Sequence, residues 1–266
     1  MSFAFSPHSP LRHTYTSFRI PSHVLRRLHS NTARDLSGWT PRQYRLGRGI
    51  IWSCVGLSTA VFVLWQYALN PAVASTIQAR GDRASADTQI RVRRFLQNNF
   101  VLSPGDRLRG RYWTVLTSAF SHQNTFHLLG NMFSLLAFSS ALVPGITAPN
   151  LVGLMVGSAI CGSVAHIYQQ KSKPIWQQAG ALGASAMVMG LGAAAAMLRP
   201  WQQVLLFGFV PMPMILLAPA YVGFDTYMLQ SENSRIGHAA HLGGAAFGVI
   251  WYIILGRRFG GLLGRL

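Results

Sequence analysis

The chain has few acids. Six Asp and Glu stand among 266 residues, against 23 Lys and Arg, for a formal charge of +17. Charged residues make up only 11% of the sequence, less than half the share usual in soluble domains. That scarcity excludes an ordinary water-soluble globule. No charged side chain occurs from Tyr112 to Gln170, and a nucleic-acid binder would not leave so long a stretch without groups to pair phosphate. Nucleic acid is therefore not an expected partner. Cysteine is also scarce: Cys54 and Cys161 both sit in apolar stretches, which excludes a disulfide framework and leaves two small core residues. No CxxC or Cys/His cluster suggests zinc. Strand-like alternation is absent, so a transmembrane barrel is not expected. What remains is half hydrophobic, and the class it indicates is an integral membrane protein in a lipid bilayer.

About 20 apolar residues in a helix cross the hydrocarbon layer. Six segments are expected to do so: Ile50 to Leu69, Thr125 to Val143, Asn150 to Tyr168, Ala181 to Leu198, Trp201 to Val222 and Ile236 to Leu255. Asn70-Pro71, Pro144-Gly145 and Arg199-Pro200 punctuate them. Every backbone N–H in hydrocarbon must be paired, which makes these helices. An even number of crossings puts both termini on one side. The basic residues divide twelve to eleven between the two faces, so the positive-inside rule discriminates little; the expectation is termini on the matrix or cytoplasmic face.

Three parts follow. Residues 1–49 hold eight Arg, no Lys, seven Ser and the lone acid Asp35, the composition of a mitochondrial transit segment with no secretory apolar region. Residues 50–256 are the six-helix membrane domain and 257–266 a basic tail. Within the domain, residues 71–112 make a long connection. Ser75 to Thr88 reads as solvated loop. The Arg-rich, apolar-interleaved remainder, ending at Tyr112 and Trp113, reads as a segment in the headgroup layer.

Polar side chains inside a span are functional candidates because leaving them unpaired in lipid is costly. His127 and Asn131 stand four apart on one helical face, Ser185 opens the fourth span after Gly183-Ala184, and His238 and His241 open the sixth. Spans two, four and six begin on one membrane face. A rise of ~1.5 Å per residue then places His127, Asn131, Ser185 and His241 within about 10 Å of that face. A hydroxyl beside a neutral imidazole is the minimal nucleophile and general base. His127, Asn131 and the Ser185 backbone N–H are suited to a developing oxyanion. With Asp225 placed in the loop before the sixth span, a dyad is expected rather than a triad. Small residues let helices touch, with Gly192 and Ala196 on the Ser185 face and Gly244 and Gly248 on the His241 face. A His pair from two helices ligating haem is the competing reading of the same imidazoles.

Taken as a set, these residues resemble the rhomboid family of intramembrane serine proteases. Trp113 to His122, followed by His127 and Asn131, looks like the family's entry into its second core helix. Gly183-Ala184-Ser185-Ala186 matches its GxSx motif, and His238 to Gly248 its catalytic-histidine helix. The last segment is most similar to the mitochondrial, presenilin-associated branch. The resemblance implies an all-α six-helix rhomboid bundle with a membrane-embedded loop between the first two core helices. It implies Ser185 as nucleophile, His241 as base, and His127, Asn131 and Gly183 in oxyanion and substrate binding. Gly244 and Gly248 serve helix packing. The substrates implied are transmembrane helices of other proteins, cut through an acyl-enzyme, with no metal or cofactor. The mitochondrial inner membrane is the expected location, a secretory-pathway membrane the fallback. A catalytically inactive rhomboid-like protein that binds client helices is the alternative function. Ala186 stands where many members have Gly, and Thr114 where many bacterial members have Arg. Residues 1–49 offer no room for the extra helix that this branch often carries.

Overall fold

A computed structural model describes residues 40–106, 109–206, 209–229 and 237–263. The expectations for the leader and for an extra helix before the core fall largely on residues outside these.

The first helix, α1 (Pro41–Leu69), starts nine residues earlier than hydropathy suggests. Thr40 and Gln43 form a reciprocal capping box, each side chain bonding the other's backbone N–H, and Pro41 at the first helical position needs no donor partner. Asn70 ends α1 and at once caps α2 (Pro71–Ala79) by accepting the Ala72 N–H. After a turn at Gly81, whose φ of 62° suits glycine, Asp82 caps α3 (Arg83–Phe100). The expected solvated loop is thus two capped helices. Signals that read as loop, Asn-Pro and Gly-Asp, are cap residues. On α3, Leu96 is fully buried against Val61, Trp65 and Ala68 of α1, while Arg91, Arg93 and Arg94 stay exposed.

A short helix, α4 (Thr114–Thr117), leads through a 3₁₀ turn to α5 (Thr125–Leu142). Then come α6 (Ala148–Lys171), α7 (Ser185–Leu198), α8 (Met214–Met228) and α9 (His238–Ile254). Among the described residues, α1, α5 and α6 are long and apolar enough to cross a membrane, and α7 and α9 are shorter apolar helices. The main core joins α5, α6, α7 and α9 through Leu135, Leu142, Leu151, Leu154, Leu191 and Tyr252. Large apolar side chains such as Phe126, Leu129 and Val164 are turned outward, as a lipid-facing surface requires.

Two further expectations are corrected. The segment from Trp201 does not begin a helix: Gln203–Leu206 (β1) pairs antiparallel with Val210–Pro213 (β2), in the register Gln203 to Pro213. Pro211 and Pro213 lack the N–H groups a helix interior needs, and α8 begins directly after Pro213. Its end shifts from Val222 to Met228. The C-terminal tail folds back: Tyr252 Oη donates to the Gly260 carbonyl and accepts from the Leu263 N–H, while the Leu262 N–H bonds the Met197 carbonyl at the end of α7.

Candidate active site

Ser185 is the first residue of α7, and the chain reaches it along a strand-like approach. The Ala181 N–H and C=O pair with Leu102 at 2.9 and 2.8 Å. From the other side α6 grips Ala179: Gln170 Oε1 accepts its N–H, and His166 Nε2 bonds its carbonyl, each at 3.1 Å. The Gly183 N–H donates to the Ser118 carbonyl at 2.9 Å. With φ at 125° Gly183 needs glycine, and a Cβ there would meet the His127 ring at 2.6 Å. The Gly183 of the GxSx motif therefore lets His127 come up against the turn that carries Ser185.

One more contact fixes that turn. The Ala184 N–H donates to His122 Nε2 at 3.3 Å, so the proton of this fully buried ring is on Nδ1. His122 also lies edge-on to His127 with ring centroids 5.0 Å apart. The sequence had offered His122 only as part of a motif.

The expectation that Asp225 lies in a loop is overturned. It occupies the last turn of α8 and is buried, because the helix runs six residues past Val222. His241 Nδ1 lies 3.0 and 3.1 Å from its two carboxylate oxygens, and His238 Nδ1 lies 2.6 Å from Oδ1. A carboxylate only accepts, so each Nδ1 carries a proton, and in the neutral ring of His241 the lone pair is on Nε2. The spacing of 16 residues between Asp225 and His241 crosses a helix boundary, and no periodic pattern in the sequence links them. A lone carboxylate in an otherwise apolar helix was the signal available.

Ser185, His241, Asp225, His238, His127, Asn131 and Gly183 all line one cavity of about 1180 Å³. Asn131 is buried, and its Nδ2 donates to the His127 carbonyl one turn back at 2.8 Å. One of its two amide hydrogens is thus committed to its own helix.

Backbone contact brings the two halves of the site together. A Cβ on Gly244 of α9 would lie 2.0 Å from the Ala186 carbonyl of α7, and one on Gly248 2.2 Å from the Gly190 carbonyl. Only glycine permits this approach. The expected partner Gly192 is displaced: it faces Phe138 of α5, and the surface of α7 toward α9 runs through Ala186 and Gly190. Ala186 fits because its Cβ meets bare Gly162 on α6, where a further Cβ would come within 2.3 Å. Thr114 is fully buried, and its Oγ1 donates to Asp106, which also accepts the Ser103 N–H and pairs with Arg111.

A family profile described as "Rhomboid domain" matches residues 109–258, more than half of the chain. The chain belongs to the rhomboid family. Among curated proteins this rhomboid is 34% identical to RHOMBOID-like protein 12, mitochondrial, of Arabidopsis thaliana, over 62% of the chain and 53% of that protein. It is 29% identical to Rhomboid protein 1, mitochondrial, of Saccharomyces cerevisiae, over 77% of the chain and 54% of that protein. With Presenilin-associated rhomboid-like protein A, mitochondrial, of Danio rerio it shares 31% over 61% of the chain and 42% of that protein. These relatives put it in the mitochondrial branch of the family. The chain spans about half the length of the curated relatives it matches.

Proposed function

We propose that this rhomboid is an intramembrane serine endopeptidase that hydrolyses peptide bonds in or near transmembrane helices of other membrane proteins. The carrying observation is the contact of His241 Nδ1 with buried Asp225 at the wall of a cavity that Ser185 also lines. Asp225 holds the tautomer in which Nε2 has a lone pair. His241 Nε2 takes the Ser185 hydroxyl proton as Oγ attacks the scissile carbonyl, then returns it to the departing amine. Water attacks the resulting acyl-enzyme with the same base, releasing the second product and restoring Oγ–H. The oxyanion of each tetrahedral intermediate is met by the Ser185 N–H, His127 and the second Asn131 amide hydrogen. The reading is thus a triad, with Asp225 orienting a Ser–His pair.

The bilayer sets how substrate arrives. The proposed membrane domain runs from the start of α1 to residue 256, with six helices crossing or entering the membrane and the α2–α4 region as an embedded loop. The 14 residues of α7 span only about 21 Å of a ~30 Å hydrocarbon layer. The helix that begins at Ser185 stops short of one face, leaving a wet hollow above it. A client helix enters from the side and unwinds there. The names of the relatives and the Arg-rich residues ahead of α1 support the inner mitochondrial membrane as the location, with those residues as transit segment.

The test is cleavage of a reporter transmembrane protein by the purified chain in liposomes. The reading requires a product that disappears in Ser185→Ala and His241→Ala. Product that persists in both would contradict it, and absence of product from wild type would favour the inactive client-binding alternative.

A further inference from the structure

Proteolysis calls for one imidazole on Asp225, yet two are there. His238 and His241 lie three residues apart on the first turn of α9, and both direct Nδ1 at the same carboxylate. One donor atom from each of Asp225, His238 and His241 falls within 4.8 Å of the others. We propose that these three side chains form a reversible, inhibitory site for a divalent cation of the zinc class.

Two imidazole nitrogens and a carboxylate oxygen are a donor set that suits zinc and not calcium or magnesium, which prefer all-oxygen shells. Zinc bonds of about 2.0–2.2 Å at tetrahedral angles set donors roughly 3.4 Å apart. The two imidazole-to-carboxylate separations, 2.6 and 3.0 Å to the shared Oδ1, need to open by less than about 1 Å to reach that spacing, and the two imidazole donors, which lie within 4.8 Å of each other, to close by at most about 1.4 Å. Side-chain rotation supplies such a change. The cavity these residues line admits the ion and leaves room for water in a fourth position.

The inhibitory part rests on the proteolytic reading. The ion takes the Nδ1 lone pairs of His238 and His241, and each ring stays neutral as its proton passes through cavity water to Nε2. The nitrogen needed as base then carries a hydrogen and cannot accept the one on Ser185. Removing the ion reverses both steps.

His238→Asn separates metal binding from structure. The Asn amide stands near the former Nδ1 and still donates to Asp225, but an amide nitrogen has no lone pair for a metal. The experiment uses the full chain in detergent. On the Ser185→Ala background, Co²⁺ titration is followed by visible absorption and Zn²⁺ by equilibrium dialysis. The expectation is one bound equivalent, weakened at least tenfold by His238→Asn and by Asp225→Asn, with unchanged melting temperature in His238→Asn. In the chain with Ser185 intact, saturating Zn²⁺ lowers fluorophosphonate labelling at least tenfold, and chelator restores it. In His238→Asn the ratio of labelling with and without Zn²⁺ approaches one. No bound equivalent, or binding indifferent to both substitutions, overturns the site. Labelling that Zn²⁺ does not change while the site is full overturns the inhibition. If metal binds as expected but metal-free protein never labels, the site stands and the protease reading falls.

Discussion

The α7–α9 pair and the α1–α3 pair pack by opposite means. Between α7 and α9 backbone meets backbone: Gly244 and Gly248 give carbonyls of α7 the space that side chains would fill. Between α1 and α3 side chains do the work, with Leu96 seated among Val61, Trp65 and Ala68. The first arrangement has almost no tolerance for added atoms and fixes Ser185 relative to His241. The second loses energy when trimmed but fixes no reacting group. The proposed reading thus puts position-sensitive chemistry where packing has the least slack.

The largest effect is expected at Asp225, the carboxylate in contact with the proposed base His241. Asp225→Asn lets the amide offer a hydrogen where the carboxylate accepted one, favouring the wrong tautomer of His241. Labelling of Ser185 by a fluorophosphonate should slow on the order of 10²–10⁴-fold, with the melting temperature retained; an unaltered rate would return the site to a dyad. Next is Gly244→Ala. Its Cβ must displace a backbone carbonyl rather than a flexible side chain, so thermal melting in detergent should show a loss of about 3 kcal/mol or more, accompanied by lost labelling. Leu96→Ala should cost about 2 kcal/mol in the same melt yet keep labelling within threefold. A large loss of labelling there would erase the contrast between the regions.

The smallest effect concerns the cap of α3. Hydrogen bonds from the Ser85 hydroxyl and N–H hold the Asp82 carboxyl below the usual aspartate range. A lowered folded value means that the cap's contribution is full above about pH 4 and is lost as pH falls through that folded value. Hydrogen exchange at Ser85 and Ala86 should quicken in acid, and Asp82→Ala should quicken it at neutral pH without touching labelling.

Much of the site could be read from sequence because depth in a membrane helix is countable. A constant rise per residue put Ser185, His241, His127 and Asn131 at one level, and all four line the same cavity. Asp225 escaped because its place depends on where α8 starts. Hydropathy began that helix at Trp201, whereas strand pairing up to Pro213 delays it and carries its end past Asp225. The long connection reads as loop for a related reason: its apolar content is too low for a span, and its helices rest on caps at Asn70 and Asp82 and on a small contact with α1. His122 acts through one bond to the Ala184 N–H, a tertiary contact invisible to periodicity. The contact between α7 and α9 was foreseen in kind but not in register, since which face of α7 meets α9 depends on crossing geometry.

The central claim is that Ser185 is a nucleophile activated by His241. Mass-spectrometric mapping of the fluorophosphonate adduct on purified wild-type chain and His241→Ala tests it most directly. The account predicts an adduct on the Ser185 peptide in wild type and at least a hundredfold less in the variant. An adduct that forms equally in both, or a wild-type chain modified only at other serines, would contradict it.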